Sequence, residues 1–399
     1  MSEEDFSIVC SKIDGEKEFL NSVSVSIWKT PELAFQEKHA HKVLTEVLSE
    51  HGFQVQKHHV LPTAFRAEFS SPAGDYPVVA VLLEYDALPN IGHACGHNLI
   101  SEAGVGASLA IKAAMEKNPK LSGKLVVIGT PAEEGGGGKI DLLNAGVFEG
   151  VDVAMMVHPS NFNCTFAPIL SRLRVTVDFE GKEAHAAAFP WEGRNALDAA
   201  VATYQNIALL RQHVRPTTRI HAIITKGGVT PNIIPGESRL EIYVRAATNS
   251  ELTDLTSRVT ECITSGASAA RCTASIRKDE KHCYENLITN KIMGDVFDTY
   301  AQRLGIQPTD FGTSVIPAGS TDMGNVSHVV PSIHPFYKIH DDAINHSKGF
   351  TDASGHARAQ EPTLAVAKSL AMTALKLMRC PKTLEDVKKQ FKKDLDQGL

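Results

Sequence analysis

Three side chains with metal-binding chemistry crowd one short loop of this 399-residue chain. They are His93, Cys95 and His97, within residues 82–97, LLEYDALPNIGHACGH. Cysteine sulfur and neutral imidazole nitrogen are standard ligands for borderline-soft divalent ions. The same pair could instead supply a cysteine nucleophile whose histidine base comes from elsewhere. It could also be a small buried thiol beside hydrogen-bonding histidines. The flanking residues give the loop an address. The apolar run 78–83 (VVAVLL) reads as a buried strand, and a helix pattern starts at Asn98. The loop therefore falls at the carboxyl end of a strand, where open α/β sheets place their ligands.

A second candidate group follows another buried strand, 123–129 (GKLVVIG), which runs into TPAEEGGGG. Glu133 and Glu134 sit there between Pro131 and four glycines, so both carboxylates have room to point into a cleft. Adjacent like charges repel unless a cation holds them. A metal ion would bind one and leave the other as a base with a raised pKa. The glycine run lacks the Gly-Lys-Ser/Thr ending of a phosphate-binding P-loop. His158 is expected at the end of a strand over 151–157, with Pro159 turning the chain into a loop, and His346 lies in NHSKGF near the carboxyl end. The strand ends carrying Cys95, His97, Glu134 and His158 are expected side by side in one parallel sheet.

The elements that must position these residues divide into two kinds. Up to 169, helices over 15–51 broken near Thr30-Pro31, strands at 53–59, 64–69, 78–83, 123–129 and 151–157, and helices at 99–117 and 139–145 alternate as in an α/β domain. From 170 the pattern becomes strand (170–180), helix (194–212), strands (219–225, 238–246), helix (251–268) and strand (272–277). That βαββαβ order predicts a two-layer inserted unit. Helix returns at 290–304, a polar loop at 319–326 leads to a helix or turn, a short strand is expected at 332–337, and an apolar helix spans 364–378. Residues 383–399 read as a charged, weakly amphipathic tail. The predicted fold class is α/β, with a discontinuous catalytic domain (1–169 and 284–399) whose mainly parallel sheet is flanked by helices, and an inserted domain at 170–283, for which the family resemblance carried by the motifs below implies lid and dimerisation roles.

Bulk properties exclude several function classes. A net charge of −6 offers no electrostatic case for nucleic acid or an anionic membrane, and no apolar run approaches the length that spans a bilayer. The acidic amino-terminal residues lack the basic and apolar regions of a secretory signal. Seven scattered cysteines suit reduced thiols better than a disulfide framework, so a cytoplasmic location is expected.

Taken together, DALP at 86–89, HACGHN at 93–98, GTPAEEGGGG at 129–138, His158-Pro159 and the His346-Ser347 element resemble the M20 family of metallopeptidases and its amidohydrolase branch. GKEAHAAAFPWEGRNALDA at 181–199, GGVTPNIIP at 227–235 and GSTDMGNVSHVVPSIHP at 319–335 extend the resemblance over nearly the whole chain. It implies two divalent ions, zinc or manganese, held by Cys95, His97, Glu134, His158 and His346, with Cys95 as the bridge. It makes Glu133 the general base and later proton donor, and Asp86 a residue that orients a ligand. His93 is left as a loop hydrogen-bonder. In the inserted domain it implies a homodimer in which His185 and Asn232 reach a partner's scissile carbonyl, while Arg245 binds the substrate carboxylate. The implied reaction is amide hydrolysis in small dipeptides with basic carboxyl-terminal residues, of the β-alanyl-lysine type. Aminobenzoyl-glutamate or N-acyl-amino acids are the alternative substrates. A cysteine hydrolase with Cys95 as nucleophile and His158 as base leaves both glutamates and His346 without work. A non-catalytic carrier of an amino-acid derivative leaves a complete set of ligands and base unexplained.

Overall fold

The computed structural model describes residues 3–312, 319–339 and 343–397. Two compact units result, one built from residues up to Pro168 together with Leu287–Gln397, the other from Ile169–Asn286. In chain order the first unit begins α1 (Glu3–Gly15), α2 (Lys17–Lys29), α3 (Lys38–Glu50), β1 (Gln54–Lys57), β2 (Phe65–Ser70) and β3 (Val78–Leu83). It continues α4 (His97–Lys117), β4 (Lys124–Gly129), α5 (Gly138–Asn144), β5 (Val153–Met155) and β6 (His158–Ser160). The second unit contributes β7 (Ser171–Glu180), α6 (Ala196–Leu210), β8 (Arg219–Lys226), β9 (Glu237–Ala246), α7 (Asn249–Ala269) and β10 (Thr273–Lys278). The chain returns to the first unit as α8 (Lys291–Arg303), α9 (Met323–Ser327), β11 (Ser332–Ile333), β12 (Phe336–Lys338), α10 (Lys348–Ser354), α11 (Gln360–Arg379) and α12 (Pro381–Asp396).

The main sheet of the first unit has the order β1-β2-β4-β3-β5-β11. β3 runs parallel to β4 and β5, and β5 parallel to β11, while β1 and β2 add an antiparallel edge. This is the expected α/β class, with a mixed sheet. Central β3 and β4 are apolar on both faces because helices cover both. α4 is buried nearly all round, and small residues make that possible: Gly104 lets the helix approach β3, since a Cβ there would lie 3.0 Å from Leu83. The loops at the carboxyl ends of β3 and β4 therefore spring from the most rigid part of the unit.

Three local expectations differ from the structure. Residues 151–157 and 332–337 are not continuous strands. The first shortens to β5, with β6 following separately from His158, and the second splits into β11 and β12; β5 pairs with β11 in the main sheet and β6 with β12 in a separate ribbon. Pro335 falls in one break and has no N–H to extend a ladder. His158 consequently begins β6 instead of ending β5. The carboxyl-terminal segment is no loose tail: α12 starts with Pro381 in its first turn and buries Leu384 and Val387 in the main core. The acidic amino-terminal residues likewise form α1, with Val9 and Ile13 buried.

In the second unit the sheet order is β10-β7-β9-β8, all antiparallel, and period-2 alternation separates its faces. Val175, Val177, Phe179, Leu240, Ile242 and Val244 pack with α6 and α7 residues such as Ala199, Ile207, Leu255 and Val259. Thr248 and Asn195 cap the two helices with side-chain oxygens.

Candidate metal centre

Two groups of potential ligands share one cysteine. Ligand atoms of Cys95, His97 and His158 all lie within 4.8 Å of one another, as do those of Cys95, Glu134 and His346. Local backbone geometry brings them there. Gly96, at φ +78°, caps α4, and a Cβ on it would lie 2.6 Å from Pro159, so only glycine lets the cysteine loop close on the strand bearing His158. His346, itself at φ 64°, donates its backbone N–H to Ala94 O at 2.8 Å. Asn345 Nδ2 donates to Pro159 O at 3.0 Å. Residues some 250 positions apart in sequence are thus tied through their backbones as well as their ligand atoms.

Hydrogen bonds fix which nitrogens face the centre. His97 Nδ1 meets Asp86 Oδ1 at 2.9 Å and His158 Nδ1 meets Pro159 O at 2.8 Å. Both partners are acceptors, so Nδ1 carries the proton in each neutral ring and Nε2 presents a lone pair inward. His158 Nε2 is 3.4 Å from Cys95 Sγ. Asp86 also accepts from Glu134 N at 2.9 Å through its other oxygen, joining the β3 loop to the β4 loop. Glu37, from the break between α2 and α3, accepts from Ala132 N and Thr63 Oγ1, and it holds Ala132 at φ 62° just before the glutamate pair. Burial raises Glu37 to about 7. His93 is buried, with Nε2 3.2 Å from Ile27 O, as a structural hydrogen-bonder would be.

The two neighbouring glutamates differ electrostatically. Burial, reinforced by Glu84 and Glu134, pushes Glu133 well up. Glu134 works against the same burial, yet His346 and His97 hold it below the usual carboxylate range. Glu134 Oε2 is 3.4 Å from His346 Nε2, and that imidazole is 56% exposed, open to solvent on one side. Burial lowers His158 to about 4, so its ring is neutral near pH 7. Cys95 is pushed up by burial and then by Glu134. For His97 burial is outweighed by Asp86, which pushes it up.

The arrangement fits divalent cations. Four carboxylates, Glu84, Asp86, Glu133 and Glu134, lie around His97, and among the described residues one buried ammonium, Lys139, pairs with Glu84 and with Asp322. His97 Nε2 and Glu134 Oε1 are buried without a hydrogen-bond partner, and both belong to the ligand groups. Glu84 and Lys139 had no part in the sequence reading. Their signal was a glutamate directly ending an apolar strand and a lysine directly after a glycine run, since a buried charge must be paired.

The residues expected to act from the second unit lie on two of its features. His185 and Asn232 sit on adjoining exposed loops: Ala186 N donates to Asn232 O at 3.0 Å, and His185 pairs with Ile233 in an isolated bridge. Arg245, half-buried on β9, points to the face that α6 and α7 leave uncovered. Its register partners there are Arg172 on β7 and Arg219 on β8. Three like charges directly across strands repel, which favours an anion beside them. The Arg172 guanidinium lies over the Tyr284 ring at 3.8 Å.

The family follows from these observations together with the sequence comparisons: the chain belongs to the M20 family of metallopeptidases. The peptidase dimerisation domain model of that family matches residues 171–271. Xaa-Arg dipeptidase of Mus musculus is 48% identical over 97% of this chain and 92% of its own length, and Xaa-Arg dipeptidase of Homo sapiens is 46% identical over 96% and 91%. Among solved structures, a dinuclear metal binding peptidase of the M20 family from Bacillus subtilis shares the fold. It has a TM-score of 0.64 and 20% identity, over 91% of this chain and 99% of that one.

Proposed function

We propose that this protein is a metal-dependent dipeptidase that hydrolyses the amide bond of small dipeptides with a basic carboxyl-terminal residue, of the β-alanyl-lysine or Xaa-Arg kind. The observation that carries the reading is Cys95 standing in two ligand groups at once, with Glu133 buried beside them. Cys95, His97 and His158 would hold one ion, and Cys95, Glu134 and His346 the other, either zinc or manganese. Such ions supply acidification of water and polarisation of the scissile carbonyl. Glu133 takes one proton from the attacking water at a carboxylate oxygen and returns it to the leaving nitrogen. Asp86 keeps His97 in the tautomer that binds with Nε2. Arg245, with Arg172 beside it, offers guanidinium donors to the substrate's terminal carboxylate.

The direct test is turnover of β-alanyl-lysine, alanyl-arginine, aminobenzoyl-glutamate and an acetyl-amino acid, with and without chelator. Basic dipeptides should be cleaved fastest, and chelation should abolish all turnover. Preference for aminobenzoyl-glutamate or the acetyl-amino acid would move the chain to the neighbouring amidohydrolase activity. Undiminished turnover after verified metal removal would sink the metal reading.

A homodimer is part of this proposal. The second unit's edge strand β8 exposes Ile223 and Ile224, and α6 exposes Val201, Tyr204 and Leu209, an apolar strip beside unpaired backbone. On this reading His185 serves the partner subunit's substrate. Mixing inactive His185→Ala with inactive Glu133→Gln subunits should then restore up to about a quarter of normal activity, given random exchange and independent sites. No recovery despite demonstrated exchange would mean that His185 serves its own subunit. Cytoplasmic residence is also proposed. It is supported by seven free cysteines.

A further inference from the structure

Glu84 ends β3 two residues before Asp86, and its side chain is fully buried. Its two oxygens have different surroundings. Oε1 accepts from Lys139 Nζ at 2.5 Å, whereas Oε2 has no hydrogen-bond partner and lies 3.4 Å from His97 Nε2, which has none either. Lys139 is locked in turn: its Nζ donates to Asp322 Oδ1 at 2.6 Å and its backbone N–H to Asp322 Oδ2 at 3.0 Å. A counter-ion for Lys139 would need only Oε1. The clamp instead leaves Oε2 directed at His97, and Asp86 has already taken the proton-bearing side of that ring. Two buried polar atoms, neither with a hydrogen-bond partner, therefore face each other across 3.4 Å, and either a proton on Nε2 or a metal ion must join them. Ligand atoms of Glu84, His97 and Glu133 all fall within 4.8 Å of one another. The Lys139 ammonium on Oε1 favours the anionic form of this carboxylate.

We propose that Glu84 is an additional ligand of the ion bound at His97 Nε2, with Lys139 and Asp322 as the residues that orient it. The inference rests on the metal centre proposed above and adds a hard, anionic oxygen to its inner, sulfur- and nitrogen-rich side. Such a mixed donor set widens the range of divalent ions the position can take.

The test uses the full-length protein, stripped of metal and titrated anaerobically with cobalt(II), with bound metal counted and visible spectra recorded. The native chain should take up two equivalents. In Glu84→Gln, one equivalent should bind more than about 100-fold more weakly, beyond the 10–100-fold typical of residues that only orient a ligand. Its visible bands should also move, while the Cys95 thiolate-to-cobalt band persists. Lys139→Met should weaken the same equivalent by a smaller factor. Glu84→Asp, which keeps the charge but shortens the arm, covers the case in which Glu84→Gln does not fold, and its bands should also move. Native bands and native affinity in either folded Glu84 variant would overturn the assignment of Glu84 alone. Failure of the native protein to bind cobalt at all would overturn the metal centre, and this proposal with it.

Discussion

Glu133→Gln is expected to keep both metal equivalents and to lose turnover by a factor on the order of 10² to 10⁴, the usual range for removing acid-base help. The amide is nearly isosteric with the carboxylate but cannot accept the water's proton. The environment of Glu133 supports that division of labour. Burial and the nearby charges of Glu84 and Glu134 raise its pKa, which brings a carboxylate toward the range useful to a base near neutral pH. Its neighbour is held in the opposite state, anionic against His346 and His97. Glu134→Gln should therefore lower metal content. Metal analysis beside steady-state rates for the two variants decides the matter, and two full equivalents in both would show that the roles are wrongly divided.

The second large effect should follow Cys95→Ser, which removes the one ligand common to both groups. A hydroxyl stays protonated where a thiol gives up its proton to a metal, so affinity should fall sharply for both ions. Protons released on loading give an independent readout. Burial and then Glu134 push the Cys95 thiol up from a value already above neutrality, so it carries its proton near pH 7 in the metal-free protein. Loading should then release protons, and Cys95→Ser should release about one fewer than the native chain. The sign follows directly: protons compete with the ions, so affinity rises with pH and keeps rising through the ordinary thiol range. Calorimetry in buffers of different ionisation enthalpy measures the count. Trapping an acyl-thioester on Cys95 during turnover would overturn the metal reading in favour of a nucleophilic cysteine.

Local pattern carried the architecture because local pattern causes it. The βαββαβ order of the inserted unit could be read from period-2 alternation in residues 171–180 and 237–246 and from the helical spacing between them, and each of those elements is present in the structure. The loops carrying Cys95, His97, Glu133 and Glu134 could be read as strand-end loops because continuous apolar runs precede them. The breaks between β5 and β6 and between β11 and β12 could not. They come from paired segments about 180 residues apart, and only the pairing shows which hydrogen bonds are missing.

The same limit applies within the metal centre. Residue types and neighbouring glycines marked Cys95, His97, Glu133, Glu134, His158 and His346 as candidates, and the division into five ligands and a base came from the family resemblance. Which atoms face one another depends on partners that sequence spacing does not encode: Asp86 on His97 Nδ1, Pro159 O on His158 Nδ1, and Ala94 O on the backbone of His346. Glu84 is the sharpest case. As a sequence it is one more acidic residue after an apolar strand. Tertiary structure sets one of its oxygens on Lys139 and leaves the other facing His97, because a buried charge must be satisfied by whatever the fold brings to it, from any distance along the chain.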